Sequence, residues 1–362
     1  MRGSEAEEML DGPNPLTPIP LPYGERESRA ALPIHISRCV GREGGASGAV
    51  VHQASAIYAV GFVQLRPGHM KPAPFDYHAP RQLKEAAELL ATLPNAKILA
   101  GGQSLVPMMN FRYVVADHLV DLGGVADLRG IAVGEGRLRI GAMMRQRELE
   151  IAPEVAQYCP LMAEALRHVG HRQTRNRGTI GGSLAHADPA AELPAVCAAY
   201  DAVIHVASIR GIRQVSFKEF STGFMATALE PDEMIAAIDL PIWRQGHGYG
   251  FHEFARRHGD FALAGAAALL DVGAGNVVRR AALALCGVAA APVRVEAAEA
   301  RLVGQPLDSS LIRSAAAATW LIEPISDIHA GAEYRRHLAQ VLSARALTDA
   351  ARRAGVDVPN VV

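Results

Sequence analysis

Two glycine pairs constrain this chain most. One stands in ILAGGQSLVPMMNFR, residues 98–112, and the other in RGTIGGSLAHADPAAELP, residues 177–194. Glycine adopts positive φ freely, so a lone pair most simply marks a turn, as the pairs at 44–45 and 123–124 do. In the first stretch a short apolar strand ends at Ala100. Gly101, Gly102, Gln103 and Ser104 then offer consecutive backbone N–H groups with little side-chain bulk. Such a run can curl into a concave nest that holds an anion. The second stretch repeats the scheme with Thr179, Ile180, Gly181, Gly182 and Ser183, a hydroxyl at each end. Two nests on separate loops suit the two phosphates of one dinucleotide. Neither carries a lysine, which fits a retained cofactor better than a triphosphate that is cleaved. The spacing is neither the Rossmann Gly-x-Gly-x-x-Gly nor a Walker A loop. From these residues alone, a plain turn and a dinucleotide site both stay open.

Regular patterning begins at MKPAPFDYHAP, with Met70 as an alternative start. Residues 1–69 are expected to be a disordered extension or a mis-called start, since DGPNPLTPIPLPYGERES is proline-rich and aperiodic. Leu83, Ala86, Ala87 and Leu90 recur at helical spacing. AKILAGG and HLVDLGG read as short strands, and IAVGEGRLRIG as a hairpin turning at Gly134-Glu135-Gly136. PEVAQYCPLMAEALRHVG is helical, with Pro160 starting or kinking its second part. AVIHVAS, IRQVSF and EMIAAIDLPI follow as strands. Beyond residue 247 three strands precede three helices, the last of them long. Strands followed by helices argue an α+β fold. At 362 residues and 49% hydrophobic, the chain is expected to hold two or three domains.

In the second loop, Asp188 before Pro189 reads as a helix cap. Pro194 is expected to stop or kink that helix within two turns. Glu192, one turn in, is either a solvated helix face or a carboxylate that accepts hydrogen bonds from sugar hydroxyls. The segment RHVGHRQTRNRG offers His168 and His171 as a weak metal pair, or a basic stretch that offsets phosphate charge or docks a partner. His186 receives no role. Cys39, Cys159, Cys197 and Cys286 are far apart, which disfavours a zinc or iron–sulfur site and suits buried thiols. Thirty-six Lys and Arg against 37 Asp and Glu give no electrostatic case for nucleic acid or an anionic membrane. Neither a membrane-spanning run nor a signal-peptide pattern is visible, and the cytoplasm is the expected location.

Together and in order, AGGQSLVPMMNFR, RNRGTIGGSLAHADPAAELP and RRHGDFALAG resemble the FAD-binding medium subunit of molybdenum hydroxylases. Carbon monoxide dehydrogenase medium chains look nearest and the xanthine dehydrogenase flavin domain more distant. The resemblance spans about Met70 to Gly355. It implies a two-subdomain FAD-binding fold (PCMH-type, vanillyl-alcohol-oxidase-like) over 70–125 and 126–246. A C-terminal domain of three strands and three helices follows over 247–355. It also implies non-covalent FAD, with Ala100 to Ser104 and Thr179 to Ser183 holding the pyrophosphate through N–H groups and hydroxyls. Glu192 would bind a sugar or ribityl hydroxyl. Phe261 would stack near the isoalloxazine ring, and Asp260 is a weaker candidate beside it. Glu253 stands where close relatives often carry Lys, which leaves a cationic partner there in doubt; Arg256 or Arg257 could substitute. No catalytic acid or base is implied.

Function follows from the same likeness: an electron-transfer subunit between the 2Fe–2S clusters of a small chain and an external acceptor. A large chain would carry molybdopterin, in a dimer of heterotrimers, with membrane association only through the complex. Substrate (carbon monoxide, N-heterocycle, aldehyde or purine) and acceptor (quinone, oxygen or NAD) stay open. The alternatives are a stand-alone flavin oxidase or reductase, and an assembly protein that has lost FAD.

Overall fold

The computed structural model describes residues 70–361, so the expectation for residues 1–69 lies outside the described residues. Three modules follow in chain order. The first holds β1 (Asp76–His78), α1 (Leu83–Thr92), β2 (Ala96–Leu99), α2 (Leu105–Asn110) and β3 (His118–Asp121). Its strands form a parallel sheet in the order β1-β3-β2. α1 buries Ala86, Ala87 and Leu90 against it, the face marked by their spacing. β1 and α2 carry no clear pattern in the sequence. Pro107 falls in the first turn of α2, where its missing N–H leaves no bond unmade.

The second module opens with β4 (Ile131–Gly134) and β5 (Arg137–Gly141). Glu135 and Gly136 join them with φ of 51° and 70°, as a type I′ turn requires. The helices α3 (Gln146–Ile151), α4 (Pro153–Tyr158) and α5 (Pro160–Ala165) follow. Pro153 and Pro160 each start a helix, because proline is pre-set for that position. Next come α6 (Arg172–Arg177), α7 (Ile180–His186), α8 (Glu192–Ala199), β6 (Val203–Ser208) and β7 (Gly211–Ser216). The module ends with α9 (Phe217–Phe220), β8 (Ser221–Gly223), β9 (Ala226–Thr227) and β10 (Met234–Pro241). The main sheet is antiparallel, in the order β4-β5-β10-β6-β7.

Three expectations for the second loop need correction. Gly181 and Gly182 lie inside α7, where a turn was expected. Pro194 does not end α8, which runs from Glu192 to Ala199; the proline sits in its first turn and is tolerated there. Asp188 does not cap α8, whose N-cap position is Ala191; it accepts from the Ala190 N–H at 2.8 Å, closing a tight turn ahead of the helix.

The third module holds β11 (Gly248–Ala255), β12 (Ala262–Val272), β13 (Val278–Cys286) and β14 (Val293–Arg294). The helices α10 (Glu296–Leu302), α11 (Ser309–Ala317) and α12 (Ala332–Arg353) complete it. Its three long strands match the expected three, and β14 adds two residues at the edge. The sheet is buried on both faces. Ala267, Leu269, Ala282 and Ala284 face the core of the second module, whereas Ala266, Ala268, Leu270 and Leu283 face α10, α11 and α12. That explains why β12 reads as one nearly continuous apolar run.

Candidate cofactor site

The two glycine stretches converge. A Cβ on Gly101 would stand 2.5 Å from the Arg177 carbonyl oxygen and 2.8 Å from the Gly178 Cα. A Cβ on Gly182 would come within 3.5 Å of the Ala100 Cβ. The first and second modules therefore touch through main chain at this point. Beside the contact lies a cavity of about 690 Å³. Ala100, Gly101, Gly102, Gln103 and Ser104 line it from one side, and Thr179, Gly181, Gly182, Ser183 and Glu192 from the other. Asp260 and Phe261 reach it from the segment between β11 and β12. Ile180 does not line it. Its side chain is fully buried in the core of the second module, and its N–H donates to the Met144 carbonyl at 3.2 Å.

The two stretches offer different chemistry. Among the described residues, the N–H groups of Gly101, Gly102, Gln103 and Ser104 have no acceptor within the chain. Gly102 adopts φ of 72°, turning this run into a cup. At the second stretch the N–H groups are already spent. Gly181 donates to the Ala142 carbonyl at 2.9 Å, Gly182 to the Thr179 hydroxyl at 3.0 Å, and Ser183 to the Thr179 carbonyl at 3.1 Å. Thr179 is the N-cap of α7. The expected second nest of backbone donors is thus a capped helix start. What it still offers the cavity is hydroxyl groups and a bulk-free wall.

Glu192 is the first residue of α8 and only 7% exposed. Glu253 of β11 stands near enough to influence its charge. Burial raises both above the ordinary carboxylate range. Glu253 is pushed up to about 9, with Glu192 as the next cause, and Glu192 to about 7, with Asp188 adding to the rise. The Glu253 Oε2 is buried with no partner among the described residues. In the sequence Glu253 was visible as an acid in an unusual place; its approach to Glu192 depends on a contact between modules that no local pattern encodes.

The basic stretch divides. Arg175 is buried, paired with Glu150 at 2.8 Å, and donates to the Val169 and Gly170 carbonyls. It braces α6 instead of facing the cavity. His168 packs its ring 5.2 Å from that of Phe251, and burial lowers its pKa. No metal-binding group of His, Cys, Asp and Glu occurs among the described residues. Arg256 lies 3.9 Å from Asp260 at the cavity edge. Phe261 is 74% exposed, a large apolar ring open to solvent.

Gln146 and Lys97 are among the cavity residues that sequence reasoning missed. Gln146 is 6% exposed and its Oε1 is buried without a partner. Lys97 of β2 also lines the cavity and is exposed. Neither stands in a motif. These features suit FAD: unused main-chain donors for a diphosphate, a buried carboxyl for sugar hydroxyls, an orphan amide oxygen, and an exposed aromatic ring at the mouth.

Comparison with known proteins agrees with that fit. Residues 73–243 match the model of the FAD binding domain in molybdopterin dehydrogenase. Residues 249–350 match that of the CO dehydrogenase flavoprotein C-terminal domain. The alpha subunit of the 6-hydroxypseudooxynicotine dehydrogenase complex of Paenarthrobacter nicotinovorans is 39% identical over 287 residues, 79% of this chain and 97% of that protein. The carbon monoxide dehydrogenase medium chain of Hydrogenophaga pseudoflava is 38% identical, over 78% of this chain and 98% of the relative. A chain of quinoline 2-oxidoreductase from Pseudomonas putida 86 superposes with a TM-score of 0.75 at 40% identity, covering 78% of this chain and 99% of its own length.

Proposed function

The chain belongs to the family of FAD-binding medium subunits of molybdenum hydroxylases, and from that premise we propose which of its residues hold the flavin and in what assembly. It is an oxidoreductase subunit that transfers electrons through FAD, alongside a large and a small subunit that carry the molybdopterin and the iron–sulfur clusters. Bound FAD supplies one-electron uptake and two-electron delivery. The chain's own work is to bind, orient and shield.

In our reading, the N–H groups of Gly101 to Ser104 hold the pyrophosphate. The observation that carries this assignment is their lack of any acceptor among the described residues, in a loop that Gly102 shapes into a cup. Ala100 and the bare α-carbons of Gly181 and Gly182 let the diphosphate lie close to the main chain. The hydroxyls of Ser104, Thr179 and Ser183 add donors. Glu192 meets a hydroxyl of the sugar or ribityl chain, Phe261 covers a ring face, and Asp260 flanks it. Ile180 stays in the assignment only as a core anchor that fixes the start of α7.

We place the domains at 70–125, 126–246 and 247–355, the complex as a dimer of heterotrimers, and its location in the cytoplasm. Among the described residues no helix is long and apolar enough to cross a membrane. Relatives named for carbon monoxide, nicotine and caffeine are 37–38% identical to this chain over nearly their whole length. That supports substrate choice by the large subunit. The test is isolation of the chain with its partners. Acid-released FAD, one per chain, and three polypeptides in a particle of twice the heterotrimer mass are expected. A colourless folded chain that takes up no FAD overturns the reading.

A further inference from the structure

The second module holds an anomaly at a hairpin tip. β8 and β9 pair Gly223 with Ala226, so Phe224 and Met225 form a two-residue turn between them. Met225 has φ of 48°, and Phe224 does not share that sign. This is the sign pattern of a type II turn, whose third position ordinarily takes Gly or Asn. Any larger side chain there presses on its own backbone. Met225 also lines the cavity. We propose that Met225 is a cofactor-binding residue: the turn keeps a strained methionine, where glycine would sit freely, because its side chain covers a ring of the bound FAD. The proposal rests on the reading that this cavity holds FAD.

Three observations carry it. The strain has no return inside the fold, since Met225 is 43% exposed and belongs to none of the hydrophobic cores of the described residues. Its companions in the cavity are apolar: Leu229, Met234 and Ile235 of the same module line it too. Such a lining suits a flat ring, whereas the free N–H groups that suit a diphosphate lie on the first module, at Gly101 to Ser104. A thioether on a flexible, unbranched chain settles against an aromatic ring and gains by the contact. Finally, the tip separates its two residues. Phe224 is 60% exposed and does not line the cavity, so of this turn Met225 alone serves the site.

Stability and binding are therefore set against each other at one position. Glycine at 225 removes the strain and with it the cover. The folded chain gains or stays level, and the cofactor loses apolar contact. Covering the exposed part of a methionine side chain corresponds to about tenfold in affinity. A residue that covers a bound ligand acts chiefly on its release.

The experiment uses the full chain, stripped of flavin and reloaded with FAD, and follows release by flavin fluorescence. Met225→Gly is expected to release FAD about tenfold faster than wild type, while its flavin-free form melts no lower. Met225→Leu keeps the cover and is expected to stay within about twofold of wild type. Phe224→Ala, one residue away, is expected to leave release unchanged. Wild-type release by Met225→Gly overturns the proposal. So does a flavin-free Met225→Gly chain that melts several degrees lower, because Met225 then serves the fold. Release by Phe224→Ala as fast as by Met225→Gly overturns it as well, since the hairpin and not the side chain would then be at work. Wild type that binds no FAD overturns the cofactor reading and the proposal with it. If stripping denatures the chain, fluorescence that appears on dilution of the isolated holoproteins ranks the same variants, with the same outcomes.

Discussion

Gly102 combines two constraints on one atom that is missing. Its φ of 72° lies in the left-handed region, and a Cβ there would press on Leu99 Cδ1 and Val106 Cγ2, each at 3.2 Å. A β-branched side chain in that region costs about 1–2 kcal/mol before any contact is counted. Gly102→Val is therefore expected to flatten the cup, giving a folded chain with less than a tenth of the flavin of wild type. Flavin absorbance per chain, with circular dichroism as the control for folding, measures this. Gly182→Leu should act from the opposite wall, since its Cβ would already stand 2.9 Å from the Thr179 hydroxyl. Glu253 gives a stability prediction with a definite sign. Its carboxyl stands raised from 4.5 to about 9, so the folded state holds a proton that the unfolded chain has lost. That contribution is fully present below about pH 4.5 and is lost as pH rises through about 9. Glu253→Gln should flatten the fall in melting temperature between about pH 6 and 9, by roughly 2–4 °C for each kcal/mol removed. Equal slopes for the two proteins would contradict it. At this scale the glycines were legible because their signal is local, a loop that tolerates no bulk. Gln146 was not, because only the approach of Gly178 makes it a cavity residue.

At the scale of elements, the dock between α12 and β11 depends on small residues. A Cβ on Gly248 would overlap the Ala350 carbonyl oxygen, and one on Gly250 the Ala346 carbonyl oxygen. Gly250→Val is expected to push the helix off the sheet, at a cost of about 3 kcal/mol or more, read as a lower urea midpoint. Arg335 pins the same helix. It is 2% exposed, pairs with Asp327 at 2.6 Å and donates to the Leu263 and Gly287 carbonyls. Arg335→Leu takes this donor from two buried carbonyls and the ion-pair partner from Asp327, and a loss of about 3–5 kcal/mol is expected from denaturant unfolding. Periodicity marked α12 and β12 well, since long elements average over local exceptions. It failed at α7 and α8. Gly181 and Gly182 look like helix breakers, yet the Thr179 cap and contact with Ala142 hold them helical. Pro194 looks like a stop, yet a first-turn proline breaks no bond.

For the whole molecule, every element named above lies within residues 76–353, and the described sheets and cores close among themselves. A chain that begins at Met70 is accordingly expected to fold and to bind FAD with unchanged affinity. A large loss on truncation would place a needed contact upstream. The order of modules was readable because strands and helices segregate along the sequence. Their contact was not, since at Gly101 it consists of main chain. That contact at Gly101 has a further consequence. A joint built from the backbone of Gly101, Arg177 and Gly178 has no rotamer that can swing aside. A ligand clasped beside it leaves only when whole modules part, a collective and slow event. The flavin of this chain should behave as a resident prosthetic group that survives dilution and dialysis, and not as a cosubstrate that exchanges with each turnover.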